Sequence, residues 1–250
     1  MPYQYETTST DYSELASGRV FYSLPGHPAF PIRLASEIFQ RCLARRAIIY
    51  ENTTPCTLYD PCCGAAYHLS VLAYLHRRHI QEISASDIDE KAVTLANRNL
   101  GLLSVEGLDR RIDEITNMLE QYHKASHKEA LASAHNLKNK IIGWGREASL
   151  ATRVFQSSAT DRETILNNIK AGSVDLVFTD VPYGQHSQWQ LSNPDELPLE
   201  SMLEALLGVL SSSSLVAIVS DKGQKVAHKS YQRVEQFQIG KRRAVILKPI

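Results

Sequence analysis

Two kinds of apolar pattern alternate along this chain, and they predict different elements. Short apolar runs bounded by turn residues predict buried strands around Leu58 and Ile83 and at Thr152–Gln156, Val174–Asp180 and Ser214–Val219. Between them, apolar residues recur at helical spacing. Leu34, Ile38, Phe39 and Leu43 predict a helix before the first strand, and Leu69, Leu72, Ala73 and His76 one after it. A third helix starts near Lys91, with Asp89 placed to cap it, and runs to about Leu100. Leu108, Ile112, Ile115 and Leu119, then Leu131, Ala134, Leu137 and Ile141, predict a helical hairpin inserted over residues 106–146, ahead of the third strand. A helix from about Ser201 to Leu210 leads to the fifth strand, and Gln232–Ile239 and Ala244–Lys248 flank Gly240 as a closing antiparallel hairpin. The sum is an α/β, Rossmann-like chain: a mainly parallel, seven-stranded sheet covered on both faces, ending in an antiparallel pair.

Composition narrows this picture. With 250 residues, 43% of them hydrophobic, the chain can bury one sizeable core, so a single domain is expected over 1–250. Residues 1–17 form a polar extension, Tyr-, Ser- and Thr-rich to about Asp11, whose start is expected to be mobile or loosely docked. No run of about 18 apolar residues and no charged-then-apolar leader occurs, so a cytoplasmic protein without a membrane anchor is expected. The four cysteines, Cys42, Cys56, Cys62 and Cys63, include no CxxC repeat. Reduced, partly buried thiols are expected rather than a metal site or disulfides. The 27 Lys and Arg balance 27 Asp and Glu, which disfavours indiscriminate coating of nucleic acid. Local basic clusters remain at Arg41–Arg46, His76–His79, Lys222–Lys229 and Lys241–Arg243, each readable as ordinary solvated surface.

Three motifs carry chemistry. The strand ending in Asp180 runs into Val181-Pro182-Tyr183, which resembles the Asp-Pro-Pro-Tyr signature of amine-methylating, S-adenosylmethionine-dependent methyltransferases. A carboxylate there accepts a hydrogen bond from a nucleobase N–H, and the adjacent ring stacks on the base. Upstream, Thr57–Tyr67 passes from strand through Asp60-Pro61-Cys62-Cys63-Gly64 into a helix, a turn where backbone approaches a ligand closely. Its single glycine disfavours the pyrophosphate cradle of a nicotinamide or flavin dinucleotide. A second strand ends in Asp87, where nucleotide-binding folds hold ribose hydroxyls.

Together with Pro28–Ala35, Glu37–Arg41, His76-Arg77-Arg78 and Trp189, these blocks resemble the avilamycin-resistance 23S rRNA methyltransferase (AviRa) family, from about Gly18 to the C-terminus. The resemblance implies a class I methyltransferase that uses S-adenosyl-L-methionine to methylate a guanine of 23S ribosomal RNA or the large ribosomal subunit, at ring N1 in preference to the exocyclic amine, with avilamycin resistance as one consequence open to test. It implies cofactor contacts from Asp60, Cys62, Gly64, Asp87, Ile88 and Ser158, a catalytic group of Asp180, Pro182 and Tyr183, and RNA contacts from Arg33, Arg77, Arg78 and Trp189. Arg45 and Arg46 are expected to join Arg77 and Arg78 on one RNA-facing surface. No metal or membrane is implied, and no oligomeric state. The chain departs from the family pattern in Ala65-Ala66, which cost little if helical. It also lacks an Asp at the third-strand end, where Ser158, Asp161 or a backbone carbonyl is left to meet the adenine amino group. The competing readings are another RNA, DNA or amide N-methyltransferase, and a catalytically silent RNA-binding protein on the same scaffold. Intact Asp87 and Asp180 speak against the silent form.

Overall fold

The computed structural model describes residues 3–23, 29–145, 150–181, 197–221 and 223–250; Pro182, Tyr183 and Trp189 lie outside them, as does most of the turn-dense segment before Pro31. Seven strands, β1 (Cys56–Asp60), β2 (Ile80–Asp87), β3 (Ala151–Gln156), β4 (Val174–Asp180), β5 (Leu210–Ser220), β6 (Tyr231–Ile239) and β7 (Arg242–Pro249), form one sheet in the order β3-β2-β1-β4-β5-β7-β6. The first five are parallel; β7 is antiparallel to both its neighbours. Successive side chains on a strand point to opposite faces. Leu58, Leu176 and Phe178 therefore enter one core, under α1 (Ile32–Tyr50), α2 (Tyr67–His76) and α3 (Glu90–Gly101), while Tyr59 and Val177 enter the other, under α6 (Arg162–Asn168) and α7 (Pro198–Leu206). The inserted hairpin is α4 (Val105–Tyr122) and α5 (Ala125–Gly143). Its Leu108, Ile115, Ala134, Leu137 and Ile141 pack with Val20, Phe21, Tyr67 and Val71, forming a third core outside α2.

Asp89 caps α3, accepting from Lys91 N–H at 2.9 Å, as its spacing predicts. Ser104 caps α4 through Gly107 N–H at 3.0 Å. The corner between α3 and α4 depends on Gly107, because a Cβ there would stand 1.8 Å from the Gly101 carbonyl oxygen. The seven-residue α6 is absent from the pattern reading, since two turns are too short to display a period.

Two expectations are corrected. The polar N-terminal segment is docked: the buried Glu37 carboxylate accepts backbone N–H groups of Gln4, Tyr5 and Glu6 at 2.6–2.8 Å, while Glu6 accepts from Gln40 at 2.9 Å, Tyr12 at 2.8 Å and Ser36. The Arg41–Arg46 cluster is not a free basic face. Arg41 pairs with Glu37 and Glu235, Arg45 with Glu235, and buried Arg46 pairs with Asp175 at 3.0 Å while donating to the carbonyls of Thr54 and Ser213. Arg46 thereby ties the C-terminal half of α1 to the amino ends of β1, β4 and β5, far from the strand ends that carry Asp60, Asp87 and Asp180.

Candidate functional site

The sheet order reverses between β1 and β4, and in such folds ligands bind beyond the carboxyl ends of the strands at that point. Asp60 closes β1, Asp87 closes β2 and Asp180 closes β4. The turn after Asp60 is fastened to β2: Cys63 N–H donates to Ser86 O at 2.9 Å and Gly64 N–H to Asp87 Oδ2 at 2.8 Å. Asp60 Oδ1 accepts from Cys62 N–H at 2.9 Å. Gly64 has φ +52° and nothing within 4 Å of where a Cβ would sit, so its backbone lies open to a ligand. Ala66 is not helical as expected; it starts α2 with φ +51°, a left-handed conformation that costs a non-glycine residue about 1–2 kcal/mol.

A cavity of about 120 Å3 opens beside this turn, lined among others by Tyr22, Phe30, Cys63, Gly64, His68 and Asp180. Asp180 points to the same face of the sheet as Phe178, and its strand end is held by Val181 N–H donating to Val219 O at 3.1 Å. Asp87 is only partly exposed, and its second oxygen accepts from Asp89 N–H at 3.0 Å. Burial pushes its carboxyl pKa up, against the pull of these backbone donors. Beside it, Ile88 is 39% exposed, an apolar surface at the site's edge, and Gln156 donates to its carbonyl at 2.9 Å. Of the candidates at the third-strand end, Asp161 is committed to capping α6 through the Thr164 N–H and hydroxyl. The Ser158 hydroxyl bonds only to nearby Thr160 among the described residues, while its carbonyl accepts from the Ser157 hydroxyl and Asp161 N–H.

Sequence reasoning missed His68. It stands on the first turn of α2, its Nε2 3.2 Å from Asp60 Oδ2 and its ring 5.0 Å from that of Phe178 and 5.6 Å from that of Phe30. The two atoms face each other without the alignment of a hydrogen bond. Burial pushes Asp60 up to about 8, with the Asp87 and Asp180 carboxylates adding to the rise, and pushes His68 down to about 4. Near neutral pH the pair thus carries no net charge. No sequence spacing marks His68, because its partner precedes it across a turn and a helix start.

Arg33 and Arg77 are each engaged by a backbone carbonyl. Arg33 donates to Glu6 O and stacks over the Tyr3 ring at 4.1 Å, holding the N-terminal segment. Arg77 donates to Ile80 O at 2.7 Å, and Arg77–His79 form a single 3-10 turn at the amino end of β2. An eight-residue strand spans about 25 Å, which separates Arg77 and Arg78 from Asp87 by that distance. The structure therefore does not bring Arg77 and Arg78 together with the carboxylates. Pro182, Tyr183 and Trp189 fall outside the described residues. Among those residues all four cysteines are free thiols, no group of His, Cys, Asp and Glu could hold a metal ion, and no helix is long and apolar enough to cross a membrane.

A family model described as rRNA methyltransferase AviRa matches residues 1–242. The chain is 38% identical to a 23S rRNA (guanine(2535)-N(1))-methyltransferase of Streptomyces viridochromogenes, over 98% of this chain and 95% of that protein. Two solved structures of rRNA methyltransferase aviRa from the same organism superpose with TM-scores of 0.85 and 0.86 at 36% and 35% identity, covering 98% and 99% of this chain and 96% of each of theirs.

Proposed function

Since the chain belongs to the rRNA methyltransferase AviRa family, we propose that it methylates ring N1 of a guanine in 23S ribosomal RNA, with S-adenosyl-L-methionine as donor, and that Asp180 is its general base. The observation that carries this reading is the position of Asp180 on the wall of a cleft whose floor is the open Gly64 turn. The relative named above acts at guanine N1, and the same nitrogen is assigned here by that likeness.

The residues present fit the cofactor. The bare Gly64 backbone admits the methionyl end, the Asp87 carboxylate sits where a ribose is held, and exposed Ile88 offers the adenine an apolar surface. When bound, the sulfonium would supply an activated methyl electrophile, its sulfur keeping the electron pair of the broken S–C bond as a neutral thioether. What the chain adds is placement and proton removal. Guanine N1–H is not ionised at neutral pH, so Asp180 accepts its hydrogen bond and takes the proton as the new N–C bond forms. Holding the nitrogen within about 3–3.5 Å of the methyl carbon supplies much of the acceleration. A paired base cannot reach the cleft, so the target guanine is unpaired or flipped, with Tyr183 or Trp189 taking over its lost stacking. A cytoplasmic site of action and protection against avilamycin follow from the RNA substrate.

Asp180→Asn keeps the shape but removes the anion. Single-turnover methylation is expected to slow by about 10²–10⁴, with cofactor affinity by calorimetry little changed. Near-normal turnover in this variant contradicts the base assignment.

A further inference from the structure

The β6–β7 hairpin tip places Arg242 at the rim of the cleft, with Arg243 beside it on the opposite face of the sheet. Because β7 is antiparallel to β5, it begins at the end of the sheet that carries Asp180: Ser220 pairs with Arg243, and Val219 with both Ala244 and Asp180. Two strand spacings, about 10 Å, separate β7 from β4. Arg242 shares the sheet face of Ala244 and Ile246, hence of Phe178, and its guanidinium lies 5.5 Å from the centre of the Phe30 ring, a wall of the cleft.

Among the described residues the buried arginines, Arg41, Arg46 and Arg111, each meet a carboxylate, whereas Arg242 and Arg243 are only partly buried. Arg242 and Arg243 form none of the ion pairs among the described residues. Arg242 Nε and Arg243 Nε and Nη2 are buried without a hydrogen-bond partner there. Nearby Asp221 turns its carboxylate to Gly223 and Gln224 N–H instead. Buried charged donors left unmet are costly, so this arrangement calls for an anion supplied from outside. The anion is not expected to belong to the cofactor, since the Gly64 turn and Asp87 lie on β1 and β2, on the opposite side of Asp180 from β7. A planar guanidinium suits a phosphodiester, and exposed Lys241 adds charge at the tip.

We propose that Arg242, supported by Lys241 and Arg243, binds a backbone phosphate of the RNA strand flanking the target base and fixes that base's approach to Asp180. The inference rests on the reading of the substrate as RNA.

The test is the salt dependence of binding of the full chain to a 23S rRNA fragment, with Arg242→Gln and with Lys241→Gln, whose exposed side chain leaves folding intact. Each substitution is expected to weaken binding and to lower the slope of log affinity against log salt by about 0.7–1, the loss of one phosphate contact. The loss should be equal for a fragment whose target guanine is replaced by adenine, because a phosphate contact carries no base information. Cofactor affinity is expected to be unchanged. Unaltered slopes in both variants overturn the proposal while the RNA reading stands. A drop in cofactor affinity with an unaltered slope overturns it in favour of a carboxylate contact on the cofactor. Wild-type protein that shows no salt-dependent affinity for the fragment overturns the RNA reading together with the proposal.

Discussion

At Asp60 the chain buries a carboxyl completely and sets a histidine beside it, and this shapes the pH dependence of folding. In the folded state Asp60 keeps its proton up to about pH 8, whereas in the unfolded chain it loses it near 3.8, so its contribution to stability falls as pH rises across that interval. His68 is held neutral down to about pH 4 but protonates near 6.5 when unfolded, so its contribution rises between those values. The two slopes cancel from about pH 4 to 6.5. Above 6.5 the Asp60 term is alone, and stability is expected to decline towards pH 8 by on the order of 1–2 kcal/mol. Asp60→Asn should flatten this decline in denaturant titrations at pH 6.5, 7.2 and 8; an equal decline in the variant assigns it to other groups. The sequence marks Asp60 through its motif but says nothing of this charge state, which depends on Phe30, His68 and Phe178 closing over it.

Elements were legible where burial imposes a period. Strands buried on both faces of a parallel sheet read as continuous apolar runs, so β1, β2, β4 and β5 stand out, and α4 and α5 show a long amphipathic repeat. The partners of the basic helix positions were not legible. Glu235 and Asp175 reach Arg41, Arg45 and Arg46 from strands far along the chain, so a cluster that resembles a charged surface is instead an internal tie. The docked N-terminal segment was hidden for the same reason, since Glu37 reads from the sequence as one more helix residue. Gly107 gives the sharpest test at this scale. A methyl group facing the Gly101 carbonyl cannot be absorbed by a flexible side chain, so α3 and α4 must separate. Gly107→Ala is expected to cost about 1–3 kcal/mol in chemical denaturation, although alanine favours helix elsewhere. A neutral or stabilising result would show that the corner opens freely.

For the molecule as a whole, the sheet gathers three carboxylates at the carboxyl ends of adjacent strands and an arginine-bearing hairpin on the far side of Asp180. The chain's formal charge is zero, yet at this end of the sheet Arg242 and Arg243 enter no ion pair among the described residues. The motifs revealed the carboxylates because each ends a readable strand; the hairpin's part emerged only from the register that sets Arg243 beside Ser220. The central claim, methylation of guanine N1 in 23S rRNA, is tested most directly by incubating the protein and S-adenosylmethionine with that RNA or with large subunits, then mapping the product by primer extension and nucleoside mass spectrometry. The account predicts a single new reverse-transcriptase stop and stoichiometric N1-methylguanosine, both lost with Asp180→Asn. Methylation of an exocyclic amine or of another base, or no transfer to either substrate, would contradict it.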